Sequence, residues 1–206
     1  RQFLEERYGD EAAGRIVVTG TSGGLLEELA QEEGWAFLPF PDNIGGRFSV
    51  LSPVGLLPMA VAGVDIRSMV QGAEELALQF RKESPGENAA FYYAAARNLL
   101  YQKGYTMELL AGFDPRLQGF FKWWIQLFAE SEGKEGMGIL PLAAEYTEEL
   151  HSLGQYVQEG PPVLFETFLK IESTDLDLAV KPDRLADKFD YLDGRTFGEI
   201  NDIAFE

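Results

Sequence analysis

The chain contains a single histidine, His151, in a segment with helical spacing. His151, Gln155 and Gln158 are four and three residues apart, so a helix over residues 147–158 places them on one polar face. A neutral imidazole near a helix N-terminus suits an acid, a base or a hydrogen-bonding group, because the helix dipole disfavours an added positive charge. The alternative is a surface helix with an unremarkable histidine, and the spacing alone favours neither.

A second candidate group lies on an aromatic-rich helix predicted over residues 115–130. Gln126 and Glu130 are four residues apart and share one face of this helix. The predicted apolar stripe consists of Phe120, Trp124, Leu127 and Phe128. A carboxylate at the end of so hydrophobic a helix is expected to be partly desolvated, which would raise its pKa and suit a general base. The more common alternative is a solvated glutamate at a helix terminus.

The densest local signal is a glycine-rich turn that precedes an arginine, Asp42-Asn-Ile-Gly-Gly-Arg-Phe-Ser-Val50. Gly45 and Gly46 allow close backbone packing or a positive φ, so they predict a rigid turn that holds Arg47. A fixed guanidinium is a natural binder for an oxyanion. The alternative is an ordinary turn with an exposed arginine.

Several other chemistries are excluded or disfavoured by residue types and spacing. The chain has no cysteine, which excludes disulfides, thiolate catalysis and cysteine-based zinc sites. With one histidine, only carboxylates remain as metal ligands, so no metal site is predicted. The turn Thr19–Gly24 lies between a strand and a helix, as anion-binding loops do, but it lacks the Gly-x-Gly-x-x-Gly and Gly-Lys-Ser/Thr spacings. We therefore predict an ordinary βα turn there.

The elements that position these residues follow from hydrophobic periodicity. Residues 15–19 and 35–39 have the pattern of short strands on either side of a helix that begins at residue 25, which predicts a parallel βαβ unit. Further strands are predicted over residues 106–110 and 162–171. Helices are predicted over residues 54–62 (apolar and buried), 65–81, 88–102, 115–130, 147–158 and 190–204.

The composition indicates a globular protein with a strong negative charge. The chain has 206 residues, of which 46% are hydrophobic, so it is long enough for one or two domains with a real core. The formal net charge of −17 argues against a nucleic-acid partner, because phosphate binding depends on clustered Lys and Arg. The longest apolar run, Val54–Val64, is too short for a membrane helix and contains Pro58, so no membrane partner is predicted. A cysteine-free chain is compatible with the cytosol.

Three ordered segments together resemble the glucose-6-phosphate isomerase family. Residues Asp42–Gly55 resemble the family's first signature. Residues Trp124–Lys134 resemble its catalytic-glutamate segment, and Glu149–Gly160 its catalytic-histidine segment in the bacterial branch. The resemblance runs over essentially the whole chain. It implies an α/β fold of three-layer α/β/α architecture with parallel sheets, built from sugar-isomerase (SIS-type) domains.

The resemblance also implies a reaction and a role for each matching residue. Family members interconvert glucose 6-phosphate and fructose 6-phosphate in the cytoplasm, in glycolysis and gluconeogenesis, without a metal or organic cofactor. Glu130 matches the glutamate that moves a proton between C1 and C2 through a cis-enediol, and Arg47, next to the substrate-binding Gly46, matches the arginine that stabilises the enediolate. Gln126 matches a glutamine that contacts the sugar. His151 matches the histidine that assists ring opening and reaches the neighbouring site of a homodimer.

The chain also departs from the family pattern. Nothing before Arg15 resembles the family's Ser/Thr-rich phosphate loop, and the helix with the catalytic lysine does not occur before Glu206. We therefore expect a fragment that is inactive by itself. Residues 1–75 would be the C-terminal part of the first SIS-type domain, and residues 76–206 the connecting helices and most of the second. The alternatives are a non-catalytic, sugar-phosphate-binding SIS-type module and a two-part enzyme whose loop and lysine come from another chain.

Overall fold

The computed structural model describes residues 1–172, 178–183 and 188–206, and it has the α/β fold that the sequence predicts. The chain forms two compact units, Arg1–Arg97 and Asn98–Glu206, and the boundary between them lies within one helix. Each unit contains one parallel sheet. The strands are β1 (Val17–Thr21), β2 (Ala36–Phe40), β3 (Met107–Gly112), β4 (Leu140–Glu145) and β5 (Leu164–Phe168). The α-helices are α1 (Gln2–Tyr8), α2 (Leu25–Glu32), α3 (Pro53–Val61), α4 (Ile66–Lys82), α5 (Ala89–Gln102), α6 (Gln118–Glu132), α7 (Tyr146–Glu149), α8 (Leu153–Glu159) and α9 (Phe197–Phe205). None of the helices in the described part of the chain is long and apolar enough to span a bilayer.

The first unit contains the predicted parallel βαβ arrangement. β1 and β2 pair in parallel, with Val17 opposite Ala36 and Thr21 opposite Phe40. α2 connects the two strands and packs on both. β1 begins two residues later than predicted, because Arg15 closes a 3₁₀ turn before the chain extends. The βαβ prediction is therefore confirmed, with a shift in the strand boundary.

The helices that follow this sheet form near their predicted positions, but the predicted burial of α3 is wrong. No residue of α3 is buried, although the helix packs on β1 and β2. A sheet covers only one side of a helix, and a sheet of two strands covers little of it, so α3 stays partly exposed. α4 is capped by the Asp65 carboxylate, which accepts N–H bonds from the first turn, and the Asn88 side-chain oxygen caps α5 in the same way.

The second unit has a three-stranded parallel sheet in the order β4-β3-β5. The central strand β3 is buried from Glu108 to Gly112. β4 has no predicted counterpart, because its residues include Pro141 and two alanines, which disfavour strand formation. Pro141 is tolerated because β4 lies at an edge of the described sheet, where one side of the strand has no ladder to complete.

Helices cover both faces of this sheet, which gives the predicted three-layer α/β/α architecture. On one face, Leu110 packs against Phe121 and Trp124 of α6. On the other face, Leu109 packs against Tyr146 of α7, and part of α8 joins this cluster. The alternation of adjacent β3 side chains between two cores explains why this strand is buried throughout.

The inner face of α6 is rotated by one residue from the predicted stripe. Trp124 is buried as expected, but Phe121 takes the place predicted for Phe120, which is 40% exposed. The helix also begins at Gln118 rather than at residue 115, because a 3₁₀ turn precedes it. Near the C-terminus, α9 begins at Phe197, later than the predicted residue 190.

Candidate active site

Arg47 lies on a short 3₁₀ helix, Gly46–Leu51, that is closed by hydroxyl groups. Ser49 Oγ donates to the Gly46 carbonyl at 2.6 Å, and Ser52 Oγ donates to the Ser49 carbonyl at 2.7 Å. The same Ser52 hydroxyl accepts the N–H of the second residue of α3. The backbone that carries Arg47 is therefore tied at both ends, as the predicted rigid turn requires.

The two glycines before Arg47 contribute in a different way from the one predicted. Gly45 has a φ of −74°, and Gly46 also lacks a positive φ. A Cβ on Gly46 would meet no atom within 4 Å. Gly46 thus leaves open space next to the arginine, which a bound ligand could approach.

The close backbone contact that was predicted for the glycines before Arg47 occurs instead at Gly55. A Cβ at Gly55 would lie 2.2 Å from the Val50 carbonyl oxygen, far inside van der Waals contact. Val50 belongs to the same 3₁₀ helix as Arg47, so the start of α3 presses directly on the element that holds the arginine. The sequence pattern gives no separate signal for this role, because it depends on contact between two elements.

We expect Gly55→Ala to destabilise the chain by about 1–3 kcal/mol, the usual cost of overpacking a close contact. The matched control is Gly72→Ala in α4, where a Cβ would meet no atom within 4 Å. That control should gain up to about 1 kcal/mol from helix propensity. Denaturant unfolding of the two variants measures both effects, and equal stabilities would contradict the contact at Gly55.

Gln126 and Glu130 lie together on the exposed side of α6. Gln126 Nε2 donates a hydrogen bond to Glu130 Oε2 at 3.5 Å, so the predicted shared face is observed. Glu130 is exposed, which makes the predicted desolvation wrong for the chain as described. The reason is its angular position: nine residues at 100° each place Glu130 on the opposite side of α6 from the buried Phe121.

His151 does not lie within a continuous helix, so the prediction of one helix over residues 147–158 is wrong. α7 ends at Glu149, and residues 150–152 form a turn before α8 begins at Leu153. His151 is exposed in this turn. The polar face shared with Gln155 and Gln158 is therefore lost, but the imidazole does lie just before a helix N-terminus.

Side-chain caps fix the short helix that precedes His151. The buried Glu145 accepts the Thr147 N–H at 3.0 Å and the Thr147 hydroxyl. Glu149 Oε2 in turn accepts the Glu145 N–H at 2.8 Å. The buried Tyr146 donates its hydroxyl to Glu166 of β5. Burial, with this carboxylate, raises the pKa of Tyr146, so the phenol stays protonated and the hydrogen bond persists.

Glu130 and His151 lie near opposite ends of strand β4, which are the two edges of the sheet where its parallel strands begin and end. α6 returns from the end of β3 to the start of β4, so Glu130 in its last turns lies at the edge where β4 begins. His151 follows the last residue of β4 by six positions and lies at the edge where β4 ends. The five residue steps of β4 cover about 17 Å at about 3.3 Å each. A molecule in contact with both residues of one unit would have to span most of the sheet.

The groove beside α7 shows which part of α6 lies near the last residues of β4. Lys122 of α6 lines it together with Glu145, Glu148 and Glu149, so this part of α6 lies at the edge where β4 ends. Glu130 is eight residues further along the helix, which corresponds to about 12 Å at 1.5 Å per residue. Glu130 therefore lies toward the end of the sheet where β4 begins, away from this groove and from the turn that contains His151.

Two possible kinds of ion site can be compared with the structure. In the turn Thr19–Gly24, the Gly23 N–H donates to Glu27 Oε2 of α2 at 2.6 Å. The chain thus supplies its own anion at the start of α2, which suits an ordinary βα turn. In residues 1–172, 178–183 and 188–206, no group of three histidine or acidic side chains is placed to hold a metal ion.

The sequence matches known proteins along its whole length. The family described as phosphoglucose isomerase matches residues 1–158. The chain is 47% identical over 209 aligned residues to a glucose-6-phosphate isomerase of Staphylococcus saprophyticus, and 46% identical to one of Staphylococcus aureus strain Newman. Each alignment covers all of this chain and 47% of the relative. The chain therefore spans about half the length of the curated relatives it matches.

Two solved structures have the same fold. A hypothetical protein from Thermus thermophilus superposes with a TM-score of 0.88 at 27% identity, covering 97% of this chain and 49% of that protein. A glucose-6-phosphate isomerase from Chlamydia trachomatis superposes with a TM-score of 0.72 over 99% of this chain and 40% of that protein; at 19% identity it supports the fold alone. With the match over residues 1–158, these findings show that the chain belongs to the phosphoglucose isomerase family.

Proposed function

We propose that this chain forms part of a glucose-6-phosphate isomerase, which interconverts glucose 6-phosphate and fructose 6-phosphate through a cis-enediol. The observation that carries the proposal is the 47% identity, along the entire chain, to a glucose-6-phosphate isomerase. The reaction needs one proton moved between two carbons and one developing negative charge stabilised. A carboxylate and a fixed guanidinium supply these two functions.

The placement of the side chains supports a role for each. Glu130 is exposed on α6 and can accept a proton from a sugar carbon, while Gln126, hydrogen-bonded to it, can contact a sugar hydroxyl. Arg47 belongs to the 3₁₀ helix that the Ser49 and Ser52 hydroxyls close, next to the open space at Gly46. A negative charge there could be stabilised without reorganisation of the backbone. His151, exposed in its turn, would move the hemiacetal proton during ring opening.

The opposite-edge positions of Glu130 and His151 support a homodimer with shared sites. If one substrate must contact both residues, and one unit separates them by most of the sheet, then the histidine is best supplied by a second copy. A two-fold dimer satisfies this twice, because each copy gives its His151 to the site that contains the other copy's Glu130. The partners would then be a sugar phosphate and a second chain.

The proposal extends to the setting of the enzyme. We assign residues 1–75 to the first SIS-type domain and residues 76–206 to connecting helices and most of the second, with the phosphate loop and the catalytic lysine supplied outside this sequence. The enzyme would act in the cytoplasm, in glycolysis and gluconeogenesis. The cysteine-free composition suits a reducing compartment.

The test is turnover of fructose 6-phosphate by the full-length protein that carries this sequence, with the 206-residue chain assayed beside it. We expect glucose 6-phosphate to form with the full-length protein and not with the chain alone. Sugar-phosphate binding without turnover by the full-length protein would reject the isomerase and favour a non-catalytic SIS-type module.

Arg47→Ala should act on the transition state more than on the bound substrate, because the enediolate carries a charge that the sugar lacks. We expect kcat to fall by about 10²–10³-fold with a smaller change in KM, as when one oxyanion donor is lost. Steady-state kinetics of the full-length protein measures both constants. A change confined to KM would make Arg47 a substrate clamp instead.

A further inference from the structure

The side chain that follows Arg47 in sequence also contacts it in space. The Arg47 Cζ lies 5.0 Å from the centroid of the Phe48 ring, within the range of a cation–π interaction. The ring belongs to the same 3₁₀ helix as the arginine, so the helix holds both side chains relative to each other. Phe48 is 51% exposed, so its contact with Arg47 lies at the surface and is of the weaker, solvated kind of cation–π interaction.

The two side chains also lie close to the same backbone position, Gly45. A Cβ placed on Gly45 would lie 3.8 Å from Phe48 Cδ2 and 3.9 Å from Arg47 Nη1. The ring and the guanidinium therefore converge above Gly45, on the surface of the tied turn. Arginine has many rotamers, and an aromatic face beside it reduces the number that the guanidinium populates.

We propose that Phe48 is a positioning residue, whose ring holds the Arg47 guanidinium in the orientation that stabilises the enediolate. This inference rests on the proposed isomerase function and adds a residue to its machinery. Phe48 acts through the arginine and not on the sugar. Its effect should therefore fall on kcat, vanish when the arginine is absent, and survive replacement by another aromatic ring.

The test compares Phe48→Leu with Phe48→Tyr in the full-length protein. Phe48→Leu should lower kcat about three- to fivefold with KM unchanged, the size expected for an exposed cation–π contact. Phe48→Tyr should retain the parent kcat, because it keeps a ring face. In the Arg47→Ala background, Phe48→Leu should have no further effect. The matched control is Phe91→Leu in α5, the same change at a side chain that is 54% exposed, and it should leave kcat unchanged.

A spectroscopic measurement tests the contact without any assay of activity. In the 206-residue chain, the Arg47 side-chain protons should show an upfield ring-current shift that Phe48→Tyr keeps and Phe48→Leu removes. Absence of that shift overturns the proposal, as does an equal loss of kcat in the Arg47→Ala background or a parent-like kcat in Phe48→Leu. If the full-length protein has no isomerase activity, the proposed function fails, and the ring-current shift alone decides whether Phe48 holds Arg47.

Discussion

Glu130→Gln in the full-length protein is expected to abolish exchange of the substrate C2 proton with solvent while leaving sugar-phosphate binding nearly intact. The amide keeps the size of the side chain but cannot accept the proton. A general base contributes about 10²–10⁴-fold to such a step, so we expect kcat to fall by at least that range. Loss of deuterium from C2-labelled glucose 6-phosphate measures the step directly.

Glu132→Gln is the matched control, because it makes the same chemical change two residues further along α6. It should leave proton exchange close to that of the parent protein. If Glu130→Gln exchanged the C2 proton at the parent rate, the base would have to be another residue.

The second large effect tests the proposed homodimer with shared sites. Two inactive proteins, one carrying Glu130→Gln and the other His151→Ala, should regain activity when they are unfolded and refolded together. Random pairing makes half of the dimers mixed, and each mixed dimer has one site with both original residues. We therefore expect about one quarter of the parent activity from an equal mixture.

Each variant refolded alone should stay inactive, and the parent protein refolded in the same way should recover. A mixture that stays inactive beside an active parent control would place both residues in one chain's site, or exclude His151 from catalysis.

A separate result distinguishes the role of the histidine. His151→Ala should impair turnover of the cyclic sugar more than proton exchange on an open-chain analogue, because only the ring form needs the hemiacetal proton moved.

The fold could be predicted from the sequence wherever periodicity and local signals agree. β1, α2 and β2 alternate in apolar pattern and turn residues, and their parallel pairing follows from chain order. β4 could not be predicted, because Pro141 and the alanines hide a strand that is selected by pairing with β3. The break before α8 was also hidden, since the apolar spacing continues through it. The caps formed by Glu145 and Glu149 fix where α7 begins. The chain then leaves the helix in the turn at residues 150–152, for which the sequence pattern gives no signal.

The candidate site could be predicted in its residues but not in its arrangement. The types and spacing of Gln126 and Glu130 correctly indicate a shared helical face. The exposure of Glu130 depends on which phenylalanine faces the sheet, and a one-residue rotation of α6 decides that. The assignment of catalytic roles to Arg47, Glu130 and His151 remains a prediction. The contact at Gly55 depends on the packing of α3 against the 3₁₀ helix. The contact at Phe48 joins sequence neighbours, but the sequence does not fix how the two side chains are oriented.

The position of Glu130 and His151 near opposite ends of β4 has a genetic consequence. With the proposed shared-site dimer, a cell that expresses a normal allele and an allele with either single change would form mixed dimers that keep one working site. We therefore expect about half of the activity to remain. An allele that carries both changes is different, because its product would inactivate both sites of every dimer that contains it. Only dimers of two normal chains then work, and activity falls to about one quarter. We therefore expect the doubly altered allele to be dominant-negative, and the two singly altered alleles to complement each other.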